Sequence, residues 1–548
     1  MRENLGDFRA PQALVDRYHA AGLWRSTGPV SDLERWRRVR PDGIAIVQYN
    51  DGVQTVRMSY EQYAAKVERF AAALHELGVR PGDVVAVQLP NLWQASVLMV
   101  ACARVKAVLA PVMPTIRPRE LSRMLDRLGA VVCVTIQDWD GYDLAAALAS
   151  VAPALPALRH RVVLGARDPG DLDLTDFFER TPWEMTHPMG LGEADEDPDR
   201  LAVVFFTSGT TGRPKAAMHS LNTLHAGIKP IVDAERMGPQ DVMFIPHAIT
   251  HLAGFKADIT MTLLSGATTV LLDRWDASTG ARLLAEAGVT MMFGAPVFFR
   301  DLVMTPPTMP LRLRMALAGA TAIPQPLVDQ VREVLGTFLR ASWGMTELAA
   351  QTWTRADDPP DWATRSDGSP GPGLEIQLRA DHEVTREHPA ELHVRGAGVA
   401  LATLGRDSGT LNVLAAHDNG WYDTGDLAIP DGRDGIRIVG RAADRIGGIF
   451  MIPVNDVESE LLRHPAVADV AVVGYVDESG AESGSAVVVP RGAPPALADL
   501  RAFLSARGMT DLYQPTHLLV IDRLPRNSAG KVRKDLLRKR VQDSLQNA

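Results

Sequence analysis

Residues 207–215 read Thr-Ser-Gly-Thr-Thr-Gly-Arg-Pro-Lys. Gly209 and Gly212 permit positive φ and let the backbone come close to a ligand. Hydroxyls on Thr207, Ser208, Thr210 and Thr211 alternate with them, and Arg213 and Lys215 add positive charge. The run at 201–206 is apolar and β-rich, so the loop leaves a strand. Free backbone N–H groups, hydroxyls and cations in such a loop make a cradle for phosphate. A flexible Ser/Gly connector does not need this density of phosphate-seeking side chains. A Walker A loop is excluded, because Gly-Lys-Ser/Thr is missing and Arg213-Pro214 follows Gly212. Pro214 also opposes a helix running through this point.

Three further stretches carry chemistry. Trp343-Gly344-Met345-Thr346-Glu347 joins a flat aromatic that can stack on a base, a hydroxyl for a phosphate oxygen, and a carboxylate. Mg²⁺ prefers carboxylate and phosphate oxygens, so Glu347 is a candidate metal ligand. In Trp421-Tyr422-Asp423-Thr424-Gly425-Asp426, a carboxylate can accept bonds from two vicinal hydroxyls. In the segment 244–255, His247 and His251 are four apart, a helical metal-pair spacing. Ala248 stands where a zinc protease needs glutamate, and Pro246 disturbs the helix start, so metal ligation is disfavoured. A core histidine held by backbone remains open here. No Gly-x-Ser-x-Gly elbow points to a serine hydrolase.

Taken together, these motifs resemble the adenylate-forming superfamily: acyl-CoA synthetases, peptide-synthetase adenylation domains and luciferases. The resemblance spans roughly residues 30–540. It implies that residues 207–215 hold the β- and γ-phosphates of ATP, that Trp343, Gly344, Met345, Gly319, Ala320 and Thr321 surround adenine, and that Asp426 and Arg441 meet the ribose and α-phosphate. It makes Thr346, Glu347, His251 and Lys531 catalytic, with Glu347 on Mg²⁺. His251 aligns with the residue that lines the acyl pocket, together with Leu252, Gly254, Phe255, Gly294, Ala295, Val297, Ala320 and Met345. Lys531, in Ser-Ala-Gly-Lys, matches the adenylation lysine of a mobile C-terminal domain. Asp423 is expected to be structural. The family usually has Tyr where Trp343 stands.

The implied reaction is carboxylate attack on the α-phosphate, giving acyl-AMP and pyrophosphate. The pocket motif has no aspartate for an α-ammonium, so a lipophilic acid is expected, alicyclic or fatty, as in cyclohexanecarboxylate and medium-chain ligases. CoA is the acceptor the family implies. Here the chain departs from the pattern. The family hinge reads Gly-Arg-x-Lys-Asp, then Gly-Gly and Pro; this chain has Gly440-Arg441-Ala442-Ala443-Asp444, with Gly447-Gly448 about two residues early. The expectation is therefore intact adenylation with thioester formation impaired or delegated to another protein. A complete acyl-CoA synthetase and an amide- or ester-forming ligase are the alternatives.

These groups need a scaffold. Ser59 with Gln62 forms a capping box, and Tyr60, Tyr63, Ala64, Val67, Phe70, Ala71, Leu74 and Leu77 make one apolar face ending at Gly78. Strands are expected over 83–89, 107–112 and 130–136, with a helix over 94–104 between the first two. That alternation implies βαβ units and a parallel sheet. Beyond the hinge a small α+β unit is expected, with strands over 467–476, 485–490 and 517–521 and a helix over 497–507. The division is thus an N-terminal α/β domain over 1–440 with parallel-rich sheets, a hinge over 441–444 pivoting at Asp444, and a small C-terminal domain over 445–548. Residues 1–58 show little pattern, and 193–200 read as an acidic connector.

Composition agrees. At 548 residues the chain exceeds one core. Its formal charge of −9 argues against nucleic acid as a partner. The exception is 523–540, with eight Lys/Arg and one Asp, a solvated helix face or an anion contact. Arg104 and Lys106 interrupt the longest apolar region, 95–113, so no membrane span is expected. Two cysteines in apolar runs, Cys102 and Cys133, suit buried thiols in a reducing cytoplasm. The N-terminus lacks a signal-peptide core. Self-association is left open.

Overall fold

The helix Tyr60–Glu76 shows how local chemistry sets the frame. Ser59 Oγ accepts the Gln62 N–H at 3.2 Å, and Gln62 Oε1 accepts the Ser59 N–H at 2.9 Å, a reciprocal cap. All eight residues of its expected apolar face are buried. Gly78, at φ +71°, ends the segment in a conformation that side chains resist. The computed structural model describes residues 5–188, 196–207, 215–320, 323, 325–385, 389–404, 411–441, 446, 452, 454–477, 480–525, 532 and 534–546.

Two nine-stranded sheets organise the larger part among these residues. In one, Leu201–Thr207, Val108–Pro111, Val84–Gln88, Val132–Ile136, His160–Leu164 and Leu172–Asp173 run parallel. Lys215–Ser220, Ala402–Leu404 and Leu411–Val413 extend it antiparallel. In the other, Leu339–Met345, Met315–Gly319, Met291–Gly294, Val242–Phe244, Thr268–Leu272 and Ile44–Asn50 are parallel neighbours. Val53–Ser59 closes one edge and Leu348–Trp353 with Ser369–Pro370 the other, all antiparallel. The expected βαβ reading holds, with the three strands expected over 83–89, 107–112 and 130–136 each two residues shorter than its apolar run.

A third sheet is antiparallel: Leu374–Arg379, Ala390–Gly396, Tyr422–Pro430 and Ile436–Arg441. The small C-terminal unit pairs Val467–Val476 with Glu482–Pro490, and adds His517–Val520 parallel. The helices Val454–Leu461 and Leu497–Ser505 pack with it around Ile446, Val472, Val488 and Leu504.

Residues 1–58 carry more order than their sequence suggests. They supply the helices Gln12–Ala20 and Pro29–Val39 and the hairpin Ile44–Asn50/Val53–Ser59. The described part of the acidic connector is a clasp. Buried Glu196 accepts the N–H groups of Gly28, Val30 and Ser31 and the Ser31 hydroxyl, closing the N-terminus of Pro29–Val39. Asp197 pairs with Arg9, and Asp199 lies 2.9 Å from His19.

Contacts between the large part and the small unit centre on the helix Pro118–Leu128. Arg119 meets Glu460 at 2.8 Å, Arg117 meets Asp511 at 3.3 Å, and Thr510 Oγ1 donates to Glu120 at 3.2 Å. Cys102 and Cys133 are free and fully buried, and burial pushes both thiols up to about 12. No described helix is long and apolar enough to cross a membrane.

Candidate active site

Thr207 and Lys215 are cross-strand partners in an antiparallel pair. The loop between them therefore closes a hairpin and does not lead into a helix, as the Pro214 argument required. Ser208, Gly209, Thr210, Thr211 and Gly212 lie outside the described residues, as do Thr321, Asp444 and Lys531.

Thr346 and Glu347 form the turn of a second hairpin, where Met345 faces Leu348. The two hairpins meet through charge. Lys215 Nζ lies 3.0 Å from Glu347 Oε1 and donates to Tyr422 Oη at 2.7 Å. Glu347 is buried, so the Lys215 ammonium is the charge partner that offsets the loss of water around its carboxylate. Behind the turn, His219 Nε2 donates to the Thr346 carbonyl at 2.8 Å. Burial lowers His219 to about 4, so this imidazole is neutral. Lys256 Nζ donates to the Ala349 carbonyl at 2.9 Å and to Gln351 at 3.0 Å, bracing the strand just past Glu347. Burial pulls this ammonium down to about 8. His219, Lys256 and the Tyr422 hydroxyl carry no short-range signal; only strand register brings them to the turn.

The Trp343 indole N–H donates to Asp426 Oδ2 at 3.0 Å in a buried contact. Trp343 therefore supplies a donor to the carboxylate expected to hold ribose. Asp426 and Arg441 are partners across adjacent strands, which brings the Arg441 backbone beside the site. Asp423 accepts the Gly425 N–H at 2.8 Å, the structural role expected of it. Gly319 passes so close to the next strand that a Cβ would lie 2.7 Å from the Ser342 carbonyl oxygen. Ala320 follows at φ +76°, a strained conformation for alanine that recurs at ligand-binding turns.

A sequence model of the AMP-binding enzyme family matches residues 33–402, and one of the AMP-binding enzyme C-terminal domain matches 456–531. The chain belongs to the AMP-binding enzymes. It is 29% identical over 540 residues to the medium-chain fatty-acid–CoA ligase of Escherichia coli K12, covering 96% of this chain and 93% of that one. It is 32% identical over 494 residues to the 3-[(3aS,4S,7aS)-7a-methyl-1,5-dioxo-octahydro-1H-inden-4-yl]propanoyl:CoA ligase of Rhodococcus jostii RHA1, covering 88% and 94%. In fold it is similar to the amide bond synthetase of Marinactinospora thermotolerans, with a TM-score of 0.79 at 24% identity over 94% of this chain and 100% of that one. It is an AMP-forming carboxylate ligase of the acyl-CoA synthetase type, which activates a carboxylic acid with ATP.

The remaining pocket candidates of this AMP-binding enzyme sit around the short helix Leu252–Phe255. His251 caps it, its Nδ1 accepting the Ala253 N–H at 3.2 Å, so the ring proton is on Nε2. Burial and nearby Lys256 lower His251 to about 4. Gly254 packs against backbone: a Cβ there would meet the Ala248 carbonyl oxygen at 2.2 Å. Leu252 and Phe255 are buried in the main core, Phe255 edge-on to Phe205 at 5.5 Å. Gly294 and Ala295 join the strand Met291–Gly294 to the helix Pro296–Met304, which carries half-exposed Val297. No group of three or more His, Cys, Asp or Glu among the described residues is arranged to hold a metal ion.

Proposed function

We propose that this chain adenylates a bulky, lipophilic carboxylic acid, alicyclic or fatty. The observation that carries the proposal is the Lys215–Glu347 pair at the meeting of the two hairpins. An incoming triphosphate competes for the Lys215 ammonium, and Glu347 is then freed to hold Mg²⁺. When bound, that ion neutralises phosphate charge. Thr346 bonds a phosphate oxygen, Trp343 and the turn at 319–321 flank adenine, and Asp426 with Arg441 binds ribose. Lys531, carried by the small domain beyond a hinge at 441–444, neutralises carboxylate and α-phosphate oxygens together, a charge-screening role for a reaction between anions. The substrate class is supported by the relatives, whose names span a fatty acid and a ring-bearing acid. The two free thiols suit a reducing cytoplasm.

A pyrophosphate-release screen over a panel of fatty, alicyclic and amino acids tests the reading, with release expected for the first two groups only. Lys531→Ala is expected to slow adenylation by roughly 10²-fold or more, as loss of one electrostatic stabiliser does. Near-wild-type pyrophosphate exchange in that variant removes the assignment.

For the second half-reaction we propose that the shortened stretch after Arg441, with Ala443 in place of lysine, leaves thioester formation slower than adenylation or dependent on a carrier protein. With ATP, acid and CoA, mass spectrometry should show acyl-AMP accumulating ahead of acyl-CoA. Rapid thioester turnover by the chain alone would mark a complete acyl-CoA synthetase instead.

A further inference from the structure

The two histidines of the 244–255 segment differ in the structure. His251 uses its Nδ1 to cap a helix. His247 is only 7% exposed, and its Nδ1 is buried with no hydrogen-bond partner. The ring is held in place from several sides. Asn91 Nδ2 donates to the His247 carbonyl at 3.0 Å, and Asn91 Oδ1 accepts the Ile249 N–H at 2.7 Å. Phe298 stands edge-on to the imidazole at 5.2 Å, and the His251 ring is 6.3 Å away. Phe298 also covers Gly294, where a Cβ would lie 3.2 Å from its ring, and is backed by Trp275 at 5.1 Å. His247 therefore neighbours His251 directly and Gly294 through Phe298, two positions assigned to the acid pocket. On the same loop, Thr250 Oγ1 is buried without a partner as well.

Leaving a buried polar atom unpaired costs about 1–3 kcal/mol, and folded proteins rarely tolerate it without a reason. In a wall already built of Phe298, Trp275 and His251, a phenylalanine or leucine would pack without that cost. The metal explanation fails for want of a third ligand among the described residues. A nitrogen so enclosed is completed either by a buried water or by a substrate group that takes its place.

We propose that His247 is a specificity-determining residue of the acid pocket, its Nδ1 hydrogen-bonding a ketone or hydroxyl oxygen on the body of the acid, away from the reacting carboxylate. The inference rests on the carboxylate-activating function above and narrows its substrate class to oxygenated ring acids. Burial, with His251 beside it, holds His247 down to about 3, so the imidazole is neutral. A neutral ring can donate to a ketone or accept from a hydroxyl, according to its tautomer. It offers no charge to a second carboxylate, so dicarboxylic acids are not favoured. A site that hydrogen-bonds a substrate oxygen also discriminates strongly against the analogue lacking it, because its own polar group is then left unpaired.

The test compares kcat/KM for pyrophosphate release with three matched acids: a bicyclic propanoic acid bearing a ring ketone, the corresponding alcohol, and the hydrocarbon parent. The full-length enzyme is expected to prefer the ketone or the alcohol over the parent by about 10-fold or more. His247→Phe should lower that oxygenated acid by a similar factor while leaving the hydrocarbon acid unchanged or improved. His247→Gln, which keeps a donor and an acceptor, should retain part of the preference. Equal use of all three acids by the native enzyme, as when a buried water satisfies Nδ1, overturns the inference. So does an equal loss for all three acids in both variants. Should His247→Phe fail to fold, the native preference and the Gln variant still decide. No pyrophosphate from any acid removes the adenylation reading along with the inference, whereas adenylation without preference removes the inference alone.

Discussion

The contact between Trp343 and Asp426 shows how one side chain can serve two ends of a nucleotide. The indole face can lie against a base while its N–H donates to the carboxylate expected to hold ribose. A hydrogen bond to a charged group contributes about 1.5–3 kcal/mol, and 1.4 kcal/mol corresponds to about tenfold in affinity. Trp343→Phe keeps a stacking ring and removes the donor. It should raise the KM for ATP by about 10-fold with a smaller change in kcat, measured by pyrophosphate exchange. An unchanged KM would assign the contact to packing alone. None of this follows from the motif as written, because an indole could also have pointed to solvent.

At the scale of elements, three buried histidines share one electrostatic condition. His219 lies on the strand Lys215–Ser220, His225 on the helix Leu221–Ala234 and His247 in the loop after Val242–Phe244. Burial lowers them to about 4, 3 and 3, against an ordinary value near 6.5. The unfolded chain therefore takes up protons first as pH falls. Stability is full above about pH 6.5 and declines between there and pH 4, by up to about 1.4 kcal/mol per pH unit for each histidine. Calorimetry at pH 7.5, 5.5 and 4.5 should show Tm falling steeply across that window. Replacing His225, which lies outside the proposed site, by a neutral residue of similar size should flatten the slope. A Tm independent of pH from 7.5 to 4.5 would contradict the burial of these rings.

For the molecule as a whole, Glu460 is the centre of the contact between the large part and the small unit. It lies 2.8 Å from Arg119 across the contact, and 3.3 Å from Arg507 and 3.5 Å from Arg463 within its own unit. Removing the carboxylate leaves three guanidinium groups facing one another, which disfavours docking more than loss of a surface pair would. Glu460→Gln should speed tryptic cleavage between the two units several-fold while leaving the melting of the large part unchanged. Cleavage at the native rate would show that the pair does not hold the contact.

Much of this protein is legible in its sequence because the signals are local. The cap of Ser59 and Gln62, the apolar face from Tyr60 to Leu77 and the alternation of strands and helices depend on neighbours a few residues away. The phosphate-seeking run at 207–215 and the Trp343–Glu347 motif are readable for the same reason: each gathers its chemistry within one turn of chain. Other features exist only once distant strands are in register. Lys215 reaches Glu347 and Tyr422, Lys256 braces the strand beyond Glu347, and Glu196 closes a helix far upstream, each across more than ninety residues. The order around Gln12–Ala20 and Pro29–Val39 was equally hidden, because those helices are held by partners elsewhere in the chain. The composition of His247 and His251 is the same, yet one nitrogen caps a helix and the other is left open. Burial and neighbours made that difference, and spacing alone carries no record of them.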